Sequence, residues 1–396
     1  MREALEAQPL LPKAATPLWA LKAAIFLANG ANSSLFRLIP AFYHEIGLGT
    51  WQIGVLQMLQ PWSIFLGSLL WAALADATGQ YKLILISTYL LGAAVICSLQ
   101  WAQLWGFGAV LSLVAAGSLL LAARAGLLDA WTLQVLKQHQ GQASYGQQRL
   151  WGSLGFGAFA LLGGRLMDNL GSLGFFGCFG VAAVALASLV SWQMADPKVL
   201  EGAAASPADR FSLWEVGWFL GNLLVYGMHA ALVDSFLLVY LASDFHASKQ
   251  LMGMVLCIMC VSEVIVFRYV QFFLDRFPLT CLMSFCQVAF AVQAFLYSQL
   301  PPELPQLVLL LEPLHGLTTS FMWALSVEMG RRLAPPGCEA KMQASCAGLQ
   351  KRVALGLGAV LWGTILSQAL PFRSALRVCG CSMLIWATLW GAWVFK

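Results

Sequence analysis

Glu312 and His315 stand three residues apart in an otherwise apolar run, Leu309-Leu310-Leu311-Glu312-Pro313-Leu314-His315-Gly316-Leu317. That spacing puts both on one helix face. An imidazole, which titrates near about 6.5 when unperturbed, beside a carboxylate can exchange a proton at physiological pH. The plainer alternative is a buried ion pair that fixes helix packing. Other ionisable residues sit in similar surroundings. Glu263 lies in Cys260-Val261-Ser262-Glu263-Val264, and must be either neutral or paired. Asp129 precedes Ala130-Trp131, with Arg149 in reach of it if the two helices that carry them are neighbours. Asp234 and Lys351 match in depth, although Lys351 also reads as an edge charge beside Arg352. Each costs free energy in an apolar setting and is therefore a candidate for a pathway, a gate or a structural pair. Arg124, about 140° around the helix from Asp129, does not share its face. Lys22 and Arg37, near the ends of their run, read as snorkelling to an interface.

These residues are carried by stretches of about twenty mostly apolar residues, the length that crosses a bilayer core as a helix. The 396-residue chain is 60% hydrophobic and 10% charged, against roughly 25% charged in a soluble protein. A water-soluble globule is excluded. Twelve spans are expected near 18–40, 51–75, 81–99, 106–136, 149–168, 172–194, 213–241, 248–273, 279–298, 304–330, 344–367 and 373–394. The polar start, Met1-Arg2-Glu3-Ala4, does not read as a signal peptide, so the first span is expected to be retained. A net charge of +4 without a basic tract gives no footprint for nucleic acid. The ten cysteines fall mostly within apolar runs and show no zinc-type spacing, which suits helix packing. No nucleophile–base set or metal set appears, so an enzyme is not expected.

Fourteen Lys and Arg fall on one side of the expected spans and four on the other, which places both termini in the cytosol. The polar, proline-bearing stretch 196–212 divides the chain into 1–195 and 213–396, six spans each. One feature repeats between the halves. Leu74-Ala75-Asp76, with Lys82 after it, follows the second span, and Leu274-Asp275-Arg276 follows the eighth, the aspartates 199 residues apart. Internal repeats of this kind mark secondary transporters, whose solute sits between the halves near the midplane.

Tyr145-Gly146-Gln147-Gln148-Arg149-Leu150-Trp151-Gly152-Ser153-Leu154-Gly155-Phe156 resembles the fifth-helix start in the oligosaccharide:proton symporter branch of the major facilitator superfamily, of which lactose permease is the best-known member. Leu311-Glu312-Pro313-Leu314-His315-Gly316 and Leu333-Ala334-Pro335-Pro336-Gly337 look more like its eukaryotic MFSD-type, "major facilitator-like" relatives. The resemblance implies that Asp129 and Arg149 bind a polar solute, that Phe156 stacks on its ring, and that Glu263 links it to a proton site. His315 matches a coupling histidine, and Asp234 with Lys351 matches an interhelical charge network. The departures are equally specific. Thr318 stands where the branch has a proton-accepting acid, Glu312 where it has a lysine, Gln293 or a neighbour near an arginine position, and Ala231 at a further aspartate. The loop signature G-x-x-x-D-R-x-G-R survives only around Asp76, with Ala72 and Ala77 in place of its first glycine and arginine.

The expectation is thus an all-α membrane protein with the major facilitator fold, twelve transmembrane helices in two six-helix bundles. It would act as a monomeric secondary transporter of a small polar, sugar-like solute. Asp129, Arg149, Phe156 and Glu263 would bind; Glu263, Glu312, His315, Asp234 and Lys351 would couple or gate; Asp76, Lys82, Asp275 and Arg276 would form the conformational loops. No cofactor is expected beyond a coupled proton, and no partner beyond solute and bilayer. A receptor or scaffold with a transporter fold is the alternative, and the host membrane, plasma or organellar, stays open.

Overall fold

The computed structural model describes residues 16–124, 127–128, 131–132, 135, 145–194, 213–334, 339–368 and 370–394. The expected linker 196–212 and Asp129 lie outside them. The described chain is built from α-helices and short helical turns. Among the described residues, eight helices are long and apolar enough to cross a membrane.

The expected first span divides. Helix α1 (Leu18–Phe36) stops short of 40, and a separate turn, α2 (Ile39–Glu45), follows with Pro40 in its first positions. Proline is accepted there because that N–H has no helical partner anyway. Next come α3 (Thr50–Thr78), α4 (Tyr81–Cys97) and α5 (Phe107–Leu121). The expected fifth and sixth spans are one helical stretch, α6 (Tyr145–Gln193), broken at Gly171 with φ 61° and ψ −147°. That backbone conformation is essentially restricted to glycine, so Gly171 marks the reversal between two spans.

The second half contains α7 (Leu213–Phe245), α8 (Lys249–Leu274), α9 (Leu279–Ser298) and α10 (Val308–Leu333). It continues with α11 (Glu339–Gly348), a π-helical turn (Leu349–Ala354), α12 (Leu355–Gln368) and α13 (Phe372–Val394). Within the first half α1 packs on α6, and α5 on α3 and α4. Within the second, α9 packs on α10 and α13, α8 on α10, and α7 on α12.

Two seams join the halves, α3 against α12 and α6 against α8. Both include close contacts at the ends where α3 and α8 begin. At one, the Thr50 hydroxyl donates to the Gly363 carbonyl at 3.2 Å, and a side chain added at Gly54 would strike the Ala359 carbonyl. At the other, a side chain at Gly164 would strike the Lys249 carbonyl. Small residues are what let membrane helices approach this closely.

The first turn of α8 shows how the second seam is fastened. The first N–H groups of any helix lack internal partners. Here the Ser248 hydroxyl accepts from the Leu251 N–H at 3.2 Å. The Lys249 and Gln250 N–H groups donate to the two carboxylate oxygens of Asp168, on α6, at 2.8 and 2.7 Å. One half of the molecule therefore caps a helix of the other, with a negative charge at the positive end of its dipole. The Lys249 ammonium adds an ion pair to Glu45 at 2.6 Å, again across the halves.

Candidate functional site

Pro40 and the break after Phe36 give α1 an end inside the protein, and Arg37 caps it. Its guanidinium meets the Asp234 carboxylate of α7 at 2.7 Å and donates to the Asp234 carbonyl at 3.2 Å. This corrects the snorkelling expectation: Arg37 is turned into the protein, where it pairs across the halves with a carboxylate only 4% exposed. A charge-assisted bond of this kind holds because each charge would be costly in that environment alone.

From Asp234 a hydrogen-bonded chain runs outward through the second half. His315 Nε2 lies 3.4 Å from the same Asp234 oxygen. His315 Nδ1 lies 2.8 Å from Gln293 Nε2. With the amide in this orientation Nδ1 accepts, which leaves the imidazole proton on Nε2, toward Asp234. In the same orientation the Thr318 hydroxyl donates to Gln293 Oε1 at 2.8 Å, and Gln293 Nε2 donates to the Tyr297 oxygen at 3.3 Å. Tyr297 in turn donates to Glu312 Oε1 at 2.8 Å. Glu312 is fully buried, and its Oε2 has no hydrogen-bond partner among the described residues.

Glu312 and His315 do share a face of α10, as their spacing predicts, but Tyr297 and Gln293 of α9 stand between them as the link. The Thr318 hydroxyl, at the position of the missing acid, is the strut that orients Gln293. Tyr297 was not singled out in the sequence. Its signal was there: Gln293 and Tyr297 are four apart, on one face of an otherwise apolar helix.

The other expected residues separate into two groups. Glu263 lies half-buried at the middle of α8, within electrostatic reach of Lys351, Arg37, His315 and Asp234. Its backbone nitrogen lies near Gly316 of α10. Lys351 sits on the π-helical turn with its ammonium 5.7 Å above the Trp323 ring. Asp234 is bonded to Arg37 and His315 rather than to Lys351, although Lys351 stays within its field. A π-turn inserted in a span is a recurrent mark of functional sites. Beside it, the Trp62 indole of the first half donates to the Arg352 carbonyl at 3.2 Å. Phe156 is partly buried on α6, one residue before Gly157, which faces Cys257 and Cys260 of α8. Arg149 begins the same helix with its side chain outside the described residues, as is that of Asp76 in the last turn of α3.

The remaining loop residues are not in this cluster. Lys82 donates to the Ser191 and Met194 carbonyls at 2.6 and 3.0 Å, within its own half. A lysine at those last helix carbonyls is favoured by the dipole. Asp275 accepts from Gln271 at 2.7 Å, and Arg276 stacks on Phe272.

Several solved structures share this architecture. The nucleoside transporter NupG superposes with a TM-score of 0.77 and 15% identity, covering 94% of this chain and 98% of that one. Tetrameric PepTSo2 gives a TM-score of 0.71 at 10% identity, covering 94% and 96%. A bacterial homolog of the human lysosomal transporter Spinster, inward-facing and occupied, gives 0.69 at 13%, covering 96% and 95%. No curated protein matches the sequence. The sequence pattern described as "MFS_1 like family" matches residues 18–374. The chain belongs to that family, and its fold is the major facilitator fold of twelve membrane helices in two six-helix bundles.

Proposed function

We propose that the protein is a secondary transporter that moves a small polar, sugar-like solute by alternating access, coupled to a proton. The observation that carries this reading is the unbroken polar chain from Glu312 to the Arg37–Asp234 pair. It connects a buried carboxyl to a contact between the two halves, the parts that must move against each other in this fold. Glu312 Oε2 is the place for the proton. An ionised carboxylate buried without a cation is expensive, and taking up a proton removes that cost. Loss of the proton would then be felt through Tyr297, Gln293 and His315 at Asp234, loosening or tightening its hold on Arg37.

The solute would sit near the midplane, where Glu263, Lys351 and the Trp323 ring come together and Phe156 approaches from the first half. Charged hydrogen-bonding groups beside aromatic faces suit a polar ring. Asp129 and Arg149 join this site in the proposal on the strength of the resemblance alone. With both termini in the cytosol, the fastened face would be the outer one and the site would open toward the inside.

Uptake into proteoliposomes of a broad panel of sugars and nucleosides, with and without an inward proton gradient, tests the reading. At least one solute should accumulate, faster with the gradient. Glu312→Gln should retain solute exchange but lose accumulation. No flux of any solute under either condition would defeat the proposal.

A further inference from the structure

Away from both seams, α8, α9 and α10 enclose a groove of about 350 Å³. Its walls are apolar, among them Val266, Phe273, Phe277, Phe285, Leu317 and Phe321. Phe277 and Phe285 are 51% and 57% exposed, so the groove opens to the outside of the bundle rather than to the space between the halves. The α8 residues that meet α6 are others, Gly253, Cys257 and Cys260.

Its length and ends say what fits. From Val266 to Phe273 of α8 the wall rises about 10 Å at helical pitch, with Phe277 just beyond the helix end, which fits within the roughly 15 Å of one leaflet's hydrocarbon. At the shallow end the exposed Arg276 guanidinium lies 3.6 Å from the Phe272 ring centroid. One of its nitrogens donates to the Phe272 carbonyl at 3.1 Å. The other guanidinium nitrogens have no partner among the described residues, and the adjacent Asp275 accepts from Gln271 instead. An exposed cation one residue before the lining Phe277, at the end of an apolar groove short enough to lie within one leaflet, is the complement of a lipid phosphate and its acyl chain.

We propose that this groove is a binding site for an anionic phospholipid of the leaflet on the side of the termini, one acyl chain lying between α8 and α10 and the phosphate on Arg276. The lipid would brace the two helices where Phe273 of α8 meets Phe321 of α10 edge to face at 5.6 Å. The proposal is independent of which solute is carried, or whether any is.

Native mass spectrometry of the full-length protein with phosphatidylglycerol or phosphatidylcholine of identical chains tests it. Wild-type protein should retain phosphatidylglycerol about fivefold better, the scale of one basic residue at an anionic headgroup. Arg276→Gln, a surface change, should bring both lipids to the same retention. Leu317→Trp, which fills the groove, should reduce both; Val266→Phe serves as a milder filler where the tryptophan variant melts early. Equal retention of the two lipids by the wild type, or unchanged phosphatidylglycerol retention in Arg276→Gln, would overturn the proposal.

Discussion

Arg37 follows α1 by one residue, yet its partner Asp234 is 197 positions away. Buried ion pairs of this type contribute little net stability but are costly to break from one side, because the abandoned charge stays buried. Arg37→Gln or Asp234→Asn alone should each destabilise the protein by roughly 3–5 kcal/mol, read as a lower melting temperature in detergent. The double variant should recover much of the loss, since neither charge is then left over. Simple addition of the two losses would mean that the residues act independently. Tyr297→Phe makes a subtler change: it removes one hydroxyl and little volume, so folding should persist while proton-driven accumulation falls. At this scale the ionised candidates were legible, because a charge in an apolar run stands out. Their bonds were not. Asp234 could be matched to Lys351 by depth, but only the position of Arg37 at the break between α1 and α2 decides the pairing. Neutral links such as Tyr297 carry no charge signal at all.

Helices are positioned by how their ends are satisfied, and α8 is the sharpest case. His246, with φ 49°, closes α7, and the Ala247 N–H returns to the Leu241 carbonyl at 3.0 Å, the bond of a helix ending in a left-handed residue. Two residues later Ser248 and Asp168 cap α8 from opposite halves. Asp168→Ala removes two of these bonds and the dipole contact, and should shift the protein toward the conformer open at the face away from the termini. Faster maleimide labelling of a cysteine placed at Gln250 reads this out. Gly164→Val should act in the same direction by wedging the seam, whereas unchanged labelling in both would mean that the contact does not hold the face shut. The spans themselves were legible from length and hydropathy, with α9 matching its expected limits of 279–298. The split at Pro40 and the fused stretch through Gly171 were not, because apolar periodicity is nearly uniform around a membrane helix. Asp168, a lone acid at a helix end, looks like any solvated charge until the partner helix is seen.

Across the whole molecule the two halves are asymmetric in what they carry. The hydrogen-bonded chain is built from α7, α9 and α10, while the first half contributes Arg37 to it and Asp168 and Glu45 to the fastened face. If the halves rock about the midplane site, the contacts at Thr50–Gly363 and Asp168–α8 must part as the opposite ends approach. Distances between spin labels on the two halves measure this directly. One pair, Gly49→Cys with Gln368→Cys, lies at the fastened face; the other, Thr78→Cys with Arg332→Cys, lies at the terminal face. In lipid bilayers, a solute found by the uptake panel should lengthen the first distance in a fraction of molecules and shorten the second in the same fraction. Both distances unmoved by any transported solute and by pH would contradict alternating access in this protein.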